Sequence, residues 1–446
     1  MTVLRLDAEW LSRPQTQALM SALGGDAVRA VGGCVRDTLL DMYDKGWAER
    51  AKTAMPDVDL ATQLLPEIVQ EKLEGAGFKV VPTGLKHGTL TAILDGFHYE
   101  VTTLRRDVAT DGRHAEVVFG QDWEADAARR DFTLNALYCD AQGQVYDPLG
   151  TGLADLQAKK LRFIGNPEAR IAEDYLRILR FFRFHYLLSP KAKMDAPALA
   201  ACEAAKAQLV KLSGERKREE LFKILTLPKA IFAINAMHET GILEPLLGCE
   251  GEGLWRLLHQ AEHHEEKYGR GEPDILLRLM ALVPFPDPLT HVPIIAERLR
   301  LSNKQKKRME KAFGRQADRY DYSLSAGLYF LGPETLRDQA LLIKTHSVVA
   351  FPYEFGSKKN NHNPPQHNLS FWEQAEAVPQ DWQRPQFPVT GDRLAAAGVK
   401  SGPQMGKYKK SLELWWAMHD FPDAETVMQQ IDKIRDGTAD WLHLLD

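Results

Sequence analysis

Short apolar runs alternate with helical patterns over the first 160 residues of the chain. Alternating apolar and polar positions indicate strands, because successive side chains of a strand point to opposite faces. Apolar positions three and four residues apart indicate helices. These patterns predict a domain of modest size that combines a sheet with helices. The predicted strands are 27–31, 58–61, 88–94 and 99–104, with a further candidate at 144–147, and the predicted helices are 35–40 and 63–75.

Beyond about Leu161 the pattern becomes helical. Apolar residues recur at helical spacing from about 167 to 315, as at Ile171, Tyr175 and Leu179. Few strand signals interrupt this region, so the remainder of the chain is predicted to be mainly helical. Three later features refine that prediction: a proline-rich stretch at 284–293 that separates helices, an irregular segment at 351–388, and helical segments at 412–417 and 424–434.

Composition narrows the class of protein. The chain has 446 residues, of which 44% are hydrophobic and 26% charged, the balance of a globular protein. The four cysteines are widely spaced with no CxxC pair, which argues against a zinc ribbon or a disulfide scaffold. No stretch approaches the roughly 18 apolar residues of a membrane span, and the amino terminus lacks a signal-peptide pattern. We therefore expect a cytoplasmic protein. The formal net charge of −5 neither favours nor excludes nucleic-acid binding, which can depend on local basic stripes.

A glycine turn and two aspartates are the first candidate functional residues. Gly32 and Gly33 lie between a predicted strand and helix, where backbone N–H groups can approach a phosphate, and Arg36 follows on the first turn of that helix. Asp57 and Asp59 project from one face of the next predicted strand. Two such carboxylates repel each other unless a cation lies between them, and hard oxygen ligands suit Mg²⁺. Each pattern also has a simpler interpretation, as a tight turn and as a solvent-facing strand.

The two patterns together resemble the nucleotidyltransferase superfamily that includes DNA polymerase beta. That resemblance implies that Asp57 and Asp59 hold metal ions, which activate an attacking hydroxyl and stabilise the leaving pyrophosphate. It also implies a third carboxylate on a neighbouring strand, for which Glu100 is the candidate. An ordinary solvent-facing strand residue is an equally good interpretation of Glu100.

Four charged residues then advance in steps of three: Asp174, Arg177, Arg180 and Arg183. On one α-helix such residues form a slanting stripe, and the simpler interpretation is a set of ion pairs worth about 0.2–0.5 kcal/mol each. The functional interpretation gives the acceptor Asp174 and the donor Arg177 a joint role in reading the Watson–Crick edges of cytosine and adenine. Arg180 and Arg183 would then contact the triphosphate or brace the pocket.

Taken in order, these features resemble the class II tRNA nucleotidyltransferases and their relatives, the bacterial poly(A) polymerases. Arg130 and Asp131 belong to the run 129–137, which we interpret as the opening of a short helix; a capped, salt-bridged helix start is the alternative. Three further segments are similar to family motifs: 147–150 to the hinge, 213–220 to the segment that braces the nucleotide-selecting helix, and 103–116 to the flexible loop used in the switch from C to A.

The resemblance implies an α+β fold. A polymerase-beta-like nucleotidyltransferase head with a small mixed sheet would be followed by an all-helical neck, body and tail. The head is expected to carry catalysis, the neck to select the nucleotide, and the body and tail to bind tRNA. The expected boundaries are 1–160, 161–230, 231–345 and 346–446, in that order.

The implied reaction is attack of a tRNA 3′-hydroxyl on the α-phosphorus of CTP or ATP, with Mg²⁺ as the cofactor and no obligate protein partner. A poly(A) polymerase, an enzyme that adds only CC or only A, and a non-catalytic tRNA-binding protein are the alternatives. The catalytic carboxylates would be Asp57, Asp59 and Glu100, with Asp57 and Asp59 as the metal ligands, and the nucleotide-binding residues would be Gly32, Gly33, Arg36, Arg130, Asp131, Asp174, Arg177, Arg180 and Arg183.

Two further groups of residues remain. His259, His263 and His264 have a metal-like helical spacing, but no His-Asp pair follows in 276–282, so we predict solvated histidines and no hydrolase activity. Basic residues gather in two clusters that can track an RNA backbone or can simply form solvated faces. The clusters are Arg298, Arg300, Lys304, Lys306, Lys307, Arg308 and Lys311, and Lys407, Lys409 and Lys410.

Overall fold

The protein folds into two compact units, Met1–Leu246 and Leu247–Asp446. The structure is a computed structural model, and its backbone is described here for twelve stretches. The histidines predicted to be solvated lie outside them. Side chains at 106–117, 343–350, 369, 370, 372 and 376 are also not described. The described stretches are 4–47, 57–85, 88–111, 114–190, 192–249, 258, 273–284, 287–314, 323–350, 369–379, 381–439 and 441.

The first unit contains a mixed sheet of seven strands and a separate two-stranded hairpin. The strands are β1 (Val28–Val31), β2 (Val58–Thr62), β3 (Lys79–Gly84), β4 (Thr89–Leu94), β5 (Phe97–Thr103), β6 (Arg105–Asp111), β7 (His114–Phe119), β8 (Tyr138–Cys139) and β9 (Val145–Tyr146). The sheet order is β3-β4-β5-β2-β1-β8-β9, and β6 pairs with β7. Only the β2–β5 pairing is parallel among those described. The predicted strands and the small mixed sheet are confirmed.

Alternation along β5 shows why this sheet has two different faces. Tyr99 and Val101 are buried, whereas His98 and Glu100 are exposed. The buried side chains face the helical layer, where Val69 and Leu73 of the helix Pro66–Gly75 are also buried. Because side chains alternate, Glu100 must lie on the opposite, polar face of the sheet. That face carries the residues of interest below.

The helices of the first unit fill the segments between and after the strands. In chain order they are α1 (Glu9–Ser12), α2 (Pro14–Leu23), α3 (Gly33–Tyr43), α4 (Pro66–Gly75), α5 (Trp123–Ala128), α6 (Gly152–Gln157), α7 (Pro167–Glu173), α8 (Leu176–Leu188), α9 (Ala196–Ala205), α10 (Gly214–Leu225) and α11 (Ile231–Glu239), with a helix α12 (Leu243–Leu247) at the unit boundary.

One helix prediction is wrong in an informative way. Asp174 and Arg183 do not lie on a single helix, because α7 ends at Glu173 and α8 begins at Leu176. Asp174 has an extended backbone, with φ −154° and ψ 105°, and its Oδ1 accepts a hydrogen bond from the backbone N–H of Leu176. Aspartate favours such a position, since its short side chain bonds to nearby backbone donors. The stripe therefore begins at a break between helices.

Gly143 closes the turn before β9 against the amino-terminal segment. Its N–H donates to the carbonyl oxygen of Asp140 at 3.0 Å within the turn, and Leu6 N–H donates to Gly143 O at 2.7 Å. Gly143 has φ +83°, and a Cβ there would lie 2.3 Å from the carbonyl oxygen of Leu6. Neither the backbone angle nor the space suits another residue.

Replacing Gly143 with alanine should lower the free energy of unfolding by about 3 kcal/mol, because it combines left-handed strain with a backbone clash. Urea unfolding of the whole chain measures this. Gly96→Ala is the matched control, since Gly96 has φ +80° with nothing within 4 Å of the added Cβ. It should cost only about 1 kcal/mol. Equal losses in the two variants would show that the contact with Leu6 contributes nothing.

The second unit is helical throughout its described parts. Its helices are α13 (Ile275–Met280), α14 (Pro288–Arg298), α15 (Asn303–Phe313), α16 (Leu324–Leu331), α17 (Pro333–Ala350), α18 (Leu369–Glu376), α19 (Gly391–Ala396), α20 (Pro403–Met418), α21 (Ala424–Met428) and α22 (Ile431–Arg435). Among the described helices none is long and apolar enough to cross a membrane.

Two expectations about this unit need correction. The stretch 284–293 does not simply separate helices, because α14 starts at Pro288 and contains Pro293. Proline is well tolerated in a first helical turn, which explains the start. The segment 351–388 is not wholly irregular, since it contains α18; residues 351–368 of it lie outside the described residues. The core of the unit includes the buried side chains of Trp415 and Trp416 on α20.

Candidate active site

Three carboxylates meet on the polar face of the sheet. Asp57 directly precedes β2, and Asp59 lies within it. In the sheet register Asp59 is opposite Val31 of β1 on one side and opposite Glu100 of β5 on the other. Burial raises the pKa of Asp59 to about 6, assisted by the negative charges of Glu100 and Asp57. The parallel β2–β5 pairing thus places the candidate third carboxylate beside the aspartates.

The glycine turn lies next to them, at the amino terminus of α3. Gly32 adopts φ 77° and ψ −125°, a conformation that L-residues with a side chain rarely reach. A Cβ on Gly32 would lie 4.0 Å from Nη1 of Arg130, so the turn is close to that guanidinium. Helix amino termini attract anions, and Arg130 adds a full positive charge. The turn therefore has the features of a phosphate-binding position.

Arg36 is buried beneath this turn instead of projecting freely from it. Its Nε donates to Asp37 Oδ1 at 2.6 Å, and its Nη1 donates to Asn135 Oδ1 at 2.7 Å. The guanidinium carbon lies 4.7 Å from the centre of the Phe184 ring. Arg36 contributes to the lining of the cleft described below, yet these contacts fix its orientation. It is a preorganised positive charge.

Arg129 and Arg130 follow the end of α5, so the interpretation that they open a helix is wrong. The short helix that follows them, a 3₁₀ turn, covers only Thr133–Asn135. Asp126, buried on α5, binds both arginines: Nε of Arg129 donates to its Oδ1 at 2.8 Å, and Nη2 of Arg130 donates to its Oδ2 at 3.1 Å. The hydroxyl of Tyr138 also donates to Asp126. Sequence reasoning missed Asp126, although its spacing of three and four residues from the arginines was a usable signal.

The arginines of α8 are braced by carboxylates from other elements. Nε of Arg180 donates to Asp131 Oδ2 at 2.6 Å. Asp131 also accepts a hydrogen bond from Asn135, and these partners hold its pKa below the usual range despite burial. Nε of Arg183 donates to Glu220 of α10. Asp131 therefore supports Arg180 directly, and α10 braces α8, as the similarity of 213–220 to a bracing motif implied.

The predicted base-reading pair lies at the break between α7 and α8. Nη2 of Arg216 donates to Asp174 Oδ2 at 2.7 Å. Nη1 of Arg177 donates to Glu173 Oε2 at 2.6 Å and to the carbonyl oxygen of Arg170 at 2.7 Å. Both side chains are thus oriented by neighbours. Asp174 remains partly exposed, so a base edge can reach it.

These groups surround one cleft of about 610 Å³. The sheet carboxylates and glycine turn contribute one part of its lining, and the arginines of α8 contribute another. A second cavity of about 340 Å³ shares Asp59, Arg129 and Arg130 with the cleft and reaches Glu100 and Thr102. The cleft is lined by Gly32, Gly33, Arg36, Asp37, Asp57, Asp59, Arg129, Arg130, Asp131, Asn135, Asp174, Arg177, Arg180, Arg183, Phe184 and Lys223.

The carboxylate donors of this site fit a hard divalent cation. Asp57, Asp59 and Glu100 offer carboxylate oxygens, the ligands that such cations prefer. Burial and the neighbouring Glu100 carboxylate raise the pKa of Asp59, and the positive charge of Arg130 opposes them. Within the described residues no three His, Cys, Asp or Glu side chains are already arranged as a metal-binding group. Asp57 and Asp59 both line the cleft, so they are the candidate ligands there.

Comparison with known proteins agrees with this geometry. Residues 28–162 match the model of the poly A polymerase head domain, and residues 193–249 match the probable RNA and SrmB-binding site of polymerase A. The chain is 31% identical over 399 residues to the mouse mitochondrial CCA tRNA nucleotidyltransferase 1, covering 87% of this chain and 82% of the relative. It is 34% identical over 226 residues to the CCA-adding enzyme of Bacillus pumilus, covering 50% of this chain and 52% of that enzyme.

Solved structures share the fold. The CCA-adding enzyme of Bacillus stearothermophilus in complex with CTP matches with a TM-score of 0.69 and 23% identity, over 95% of this chain and 99% of that one. The Thermotoga maritima CCA-adding enzyme in complex with tRNA matches with a TM-score of 0.64 and 18% identity, over 98% and 100%. The extent of the similarity to the mouse enzyme, together with the matched head domain, shows that this chain belongs to the class II CCA-adding enzyme and poly(A) polymerase family.

Proposed function

We propose that this protein adds or repairs the 3′-terminal CCA of tRNA, using CTP and ATP without a nucleic-acid template and releasing pyrophosphate. One observation carries the proposal: a single cleft is lined by Asp57 and Asp59, by several arginines, and by the pair Asp174 and Arg177. Carboxylates suit the chemical step, arginines suit a triphosphate, and the pair suits a base edge. The names of the relatives, and the CTP, ATP and tRNA complexes of the fold neighbours, support the same reaction.

Asp57 and Asp59 would hold Mg²⁺, with Glu100 as a third carboxylate. Bound there, the cation would supply charge neutralisation for the phosphoryl group and a lowered pKa for the attacking hydroxyl. The chain's own residues provide positioning. The Gly32–Gly33 turn allows close approach of the phosphates, and the fixed guanidiniums nearby favour negative charge without having to reorganise.

The second cavity is the proposed position of the RNA 3′ end. It shares Asp59 with the nucleotide cleft, so a hydroxyl there can approach a phosphate bound in the cleft. Thr102 lines the cavity and forms a hydrogen bond of 3.0 Å with the hydroxyl of Thr89. Hydroxyls of this kind suit ribose and phosphate oxygens. The nucleotide would thus occupy the cleft and the RNA 3′ end the second cavity, and Asp59 lines both.

Arg177→Ala should weaken nucleotide selection. The guanidinium supplies the donors of the proposed base-reading pair, and a site built on hydrogen bonds rejects wrong bases chiefly through those bonds. We expect the preference for CTP and ATP over UTP and GTP to fall about tenfold or more, measured as ratios of kcat/KM. Arg393→Ala, an exposed arginine of the second unit, is the control and should leave the ratios unchanged. Unchanged selection by Arg177→Ala would remove it from base reading.

Exposed lysines of the second unit are the proposed contacts for the RNA backbone. Lys304, Lys307 and Lys311 are exposed on α15, and Lys407, Lys409 and Lys410 are exposed on α20. Such residues neutralise phosphates without reading sequence. Arg308, grouped with the first of these clusters by sequence, does not belong to that surface, because it binds Asp338 and Asp274 instead.

The division into head, neck, body and tail is also part of the proposal. We place catalysis in 1–160, nucleotide selection in 161–230 and tRNA binding in 231–345 and 346–446. We propose a cytoplasmic location from the cysteine pattern, although relatives include mitochondrial enzymes.

One experiment tests the function directly. Purified protein is incubated with Mg²⁺ and tRNA that ends before the CCA, together with labelled CTP, ATP, or both. Addition of three nucleotides that read CCA supports the proposal. Long tails of A would identify a poly(A) polymerase, addition of only CC or only A would identify a partial activity, and binding without addition would identify a tRNA-binding protein.

A further inference from the structure

Arg170, in the last turn of α7, lies outside the cleft lining yet connects its parts. Its Nη2 donates to the backbone carbonyl oxygens of Arg129 and Arg130, at the end of α5. Its Nη1 donates to both carboxylate oxygens of Glu173, each at 2.7 Å. The side chain is only 11% exposed. One guanidinium thus joins two elements that are about 40 residues apart in the chain.

Arg177 is held by the same set of partners. Its Nη1 donates to Glu173 at 2.6 Å and to the carbonyl oxygen of Arg170 at 2.7 Å. Its Nη2 donates to the carbonyl oxygen of Arg129 at 3.3 Å. Every hydrogen bond described for the Arg177 side chain is therefore made to Arg170 itself or to a group that the Arg170 side chain also binds. Without the Arg170 side chain, the Glu173 carboxylate and the Arg129 carbonyl group would lose a contact that holds them in position for Arg177.

The arrangement is costly, which argues that its geometry matters. Burial lowers the pKa of Arg170, the charge of Arg177 lowers it further, and Glu173 opposes both effects. The Nε of Arg170 is buried and has no hydrogen-bond partner among the described atoms. A buried donor without a partner costs free energy that a simple surface arginine would avoid. The carbonyl groups at the end of α5 partly compensate, since the carboxyl end of a helix favours cations.

From these contacts we propose that Arg170 is a positioning residue for nucleotide selection: it ties the α7–α8 break to the end of α5 and thereby fixes Arg177 relative to Arg129 and Arg130. The inference rests on the proposed function, because it requires Arg177 to read a base. Arg170 touches neither substrate in this scheme. Its loss should therefore affect which nucleotide is accepted more than how fast the accepted one reacts.

The test uses Arg170→Ala and Arg170→Lys in the full-length chain. Lysine keeps the charge but lacks the planar fork that reaches a carboxylate and two carbonyl groups together. Arg162→Ala is the matched control, because Arg162 also binds a buried carboxylate, that of Asp155, within the first unit. For each protein we would measure kcat and KM with CTP and UTP on tRNA lacking CCA, equilibrium binding of CTP and UTP, tRNA affinity, and the melting temperature.

Both Arg170 variants should raise the KM for CTP about tenfold and reduce the CTP-over-UTP binding ratio by a similar factor, with kcat at saturating CTP within about threefold of wild type. The control should match wild type in each ratio. If the alanine variant fails to fold, the lysine variant decides. A lower melting temperature with unchanged selectivity and KM would overturn the positioning role, and so would a loss confined to kcat. A wild-type protein that adds no nucleotide would instead overturn the proposed function, and this inference with it.

Discussion

Asp57→Asn should lower nucleotide incorporation by at least about 1,000-fold, equivalent to about 4 kcal/mol of transition-state stabilisation. The amide keeps the shape of the side chain but removes the negative charge that would bind Mg²⁺. Asp57 is exposed before β2, so its replacement should leave the sheet intact. Incorporation of labelled CTP into tRNA that lacks CCA, under single-turnover conditions with saturating Mg²⁺, measures the effect.

Two controls separate catalysis from folding and binding. Asp7→Asn, at another exposed aspartate of the same unit, should retain wild-type incorporation. The tRNA affinity of Asp57→Asn should stay within about threefold of wild type, since phosphate contacts elsewhere dominate affinity. Incorporation at a normal rate by Asp57→Asn would remove Asp57 from the site. The same measurement on Asp59→Asn would show whether incorporation requires the second aspartate as well.

Arg308→Met should lower the free energy of unfolding of the second unit by about 3–5 kcal/mol. Arg308 of α15 donates to both carboxylate oxygens of Asp338, at 2.8 and 2.9 Å, and also to Asp274, which caps α13. Asp338 is 3% exposed on α17. Methionine would fill similar space but leave the Asp338 carboxylate buried without its cation. Thermal or urea unfolding, followed by tryptophan fluorescence of the core around Trp415, measures the loss.

The double variant Arg308→Met/Asp338→Asn is the matched control and should recover much of the stability, because it removes the uncompensated charge.

The pH dependence of stability offers an independent check. Burial already raises the pKa of Asp338 to about 6, despite Arg308. A carboxyl whose pKa is raised by folding favours the native state when protonated and destabilises it as pH rises through that pKa. The loss of unfolding free energy caused by Arg308→Met should therefore become smaller as the pH falls from 8 to 5. A pH-independent deficit would contradict this explanation.

Five strands and the paired aspartates could be predicted from short local patterns, whereas β3, β6, β7 and β8 were not predicted. Asp57 and Asp59 are two positions apart where β2 begins, so an extended backbone places both side chains on one face. The break at Asp174 was not predicted, since steps of three look the same on one helix or on two. The local signal was present but weak. An aspartate can lie within a helix, or its side chain can accept a hydrogen bond from a nearby backbone N–H and interrupt the helix, as Asp174 does.

The bracing contacts show a different limit. Asp131 binds Arg180 across 49 positions, and Glu220 binds Arg183 across 37. No periodicity relates such partners, because their proximity depends on how α8 packs against α10 and the end of α5. Arg170 combines both cases. Its partner Glu173 is three positions away, a recognisable spacing, but its contacts with α5 are made to the backbone carbonyl oxygens of Arg129 and Arg130. Side chains that bind to backbone leave no complementary residue type to recognise.

The parallel pairing of β2 with β5 has a consequence for how this protein tolerates changes in length. Asp59 and Glu100 come from strands joined by a long intervening stretch that includes α4, β3 and β4. Insertions in the turns of that stretch can be absorbed at the surface without disturbing either carboxylate. A single residue inserted within β5 ahead of Glu100 would instead rotate it into the hydrophobic layer and bring a neighbour outward.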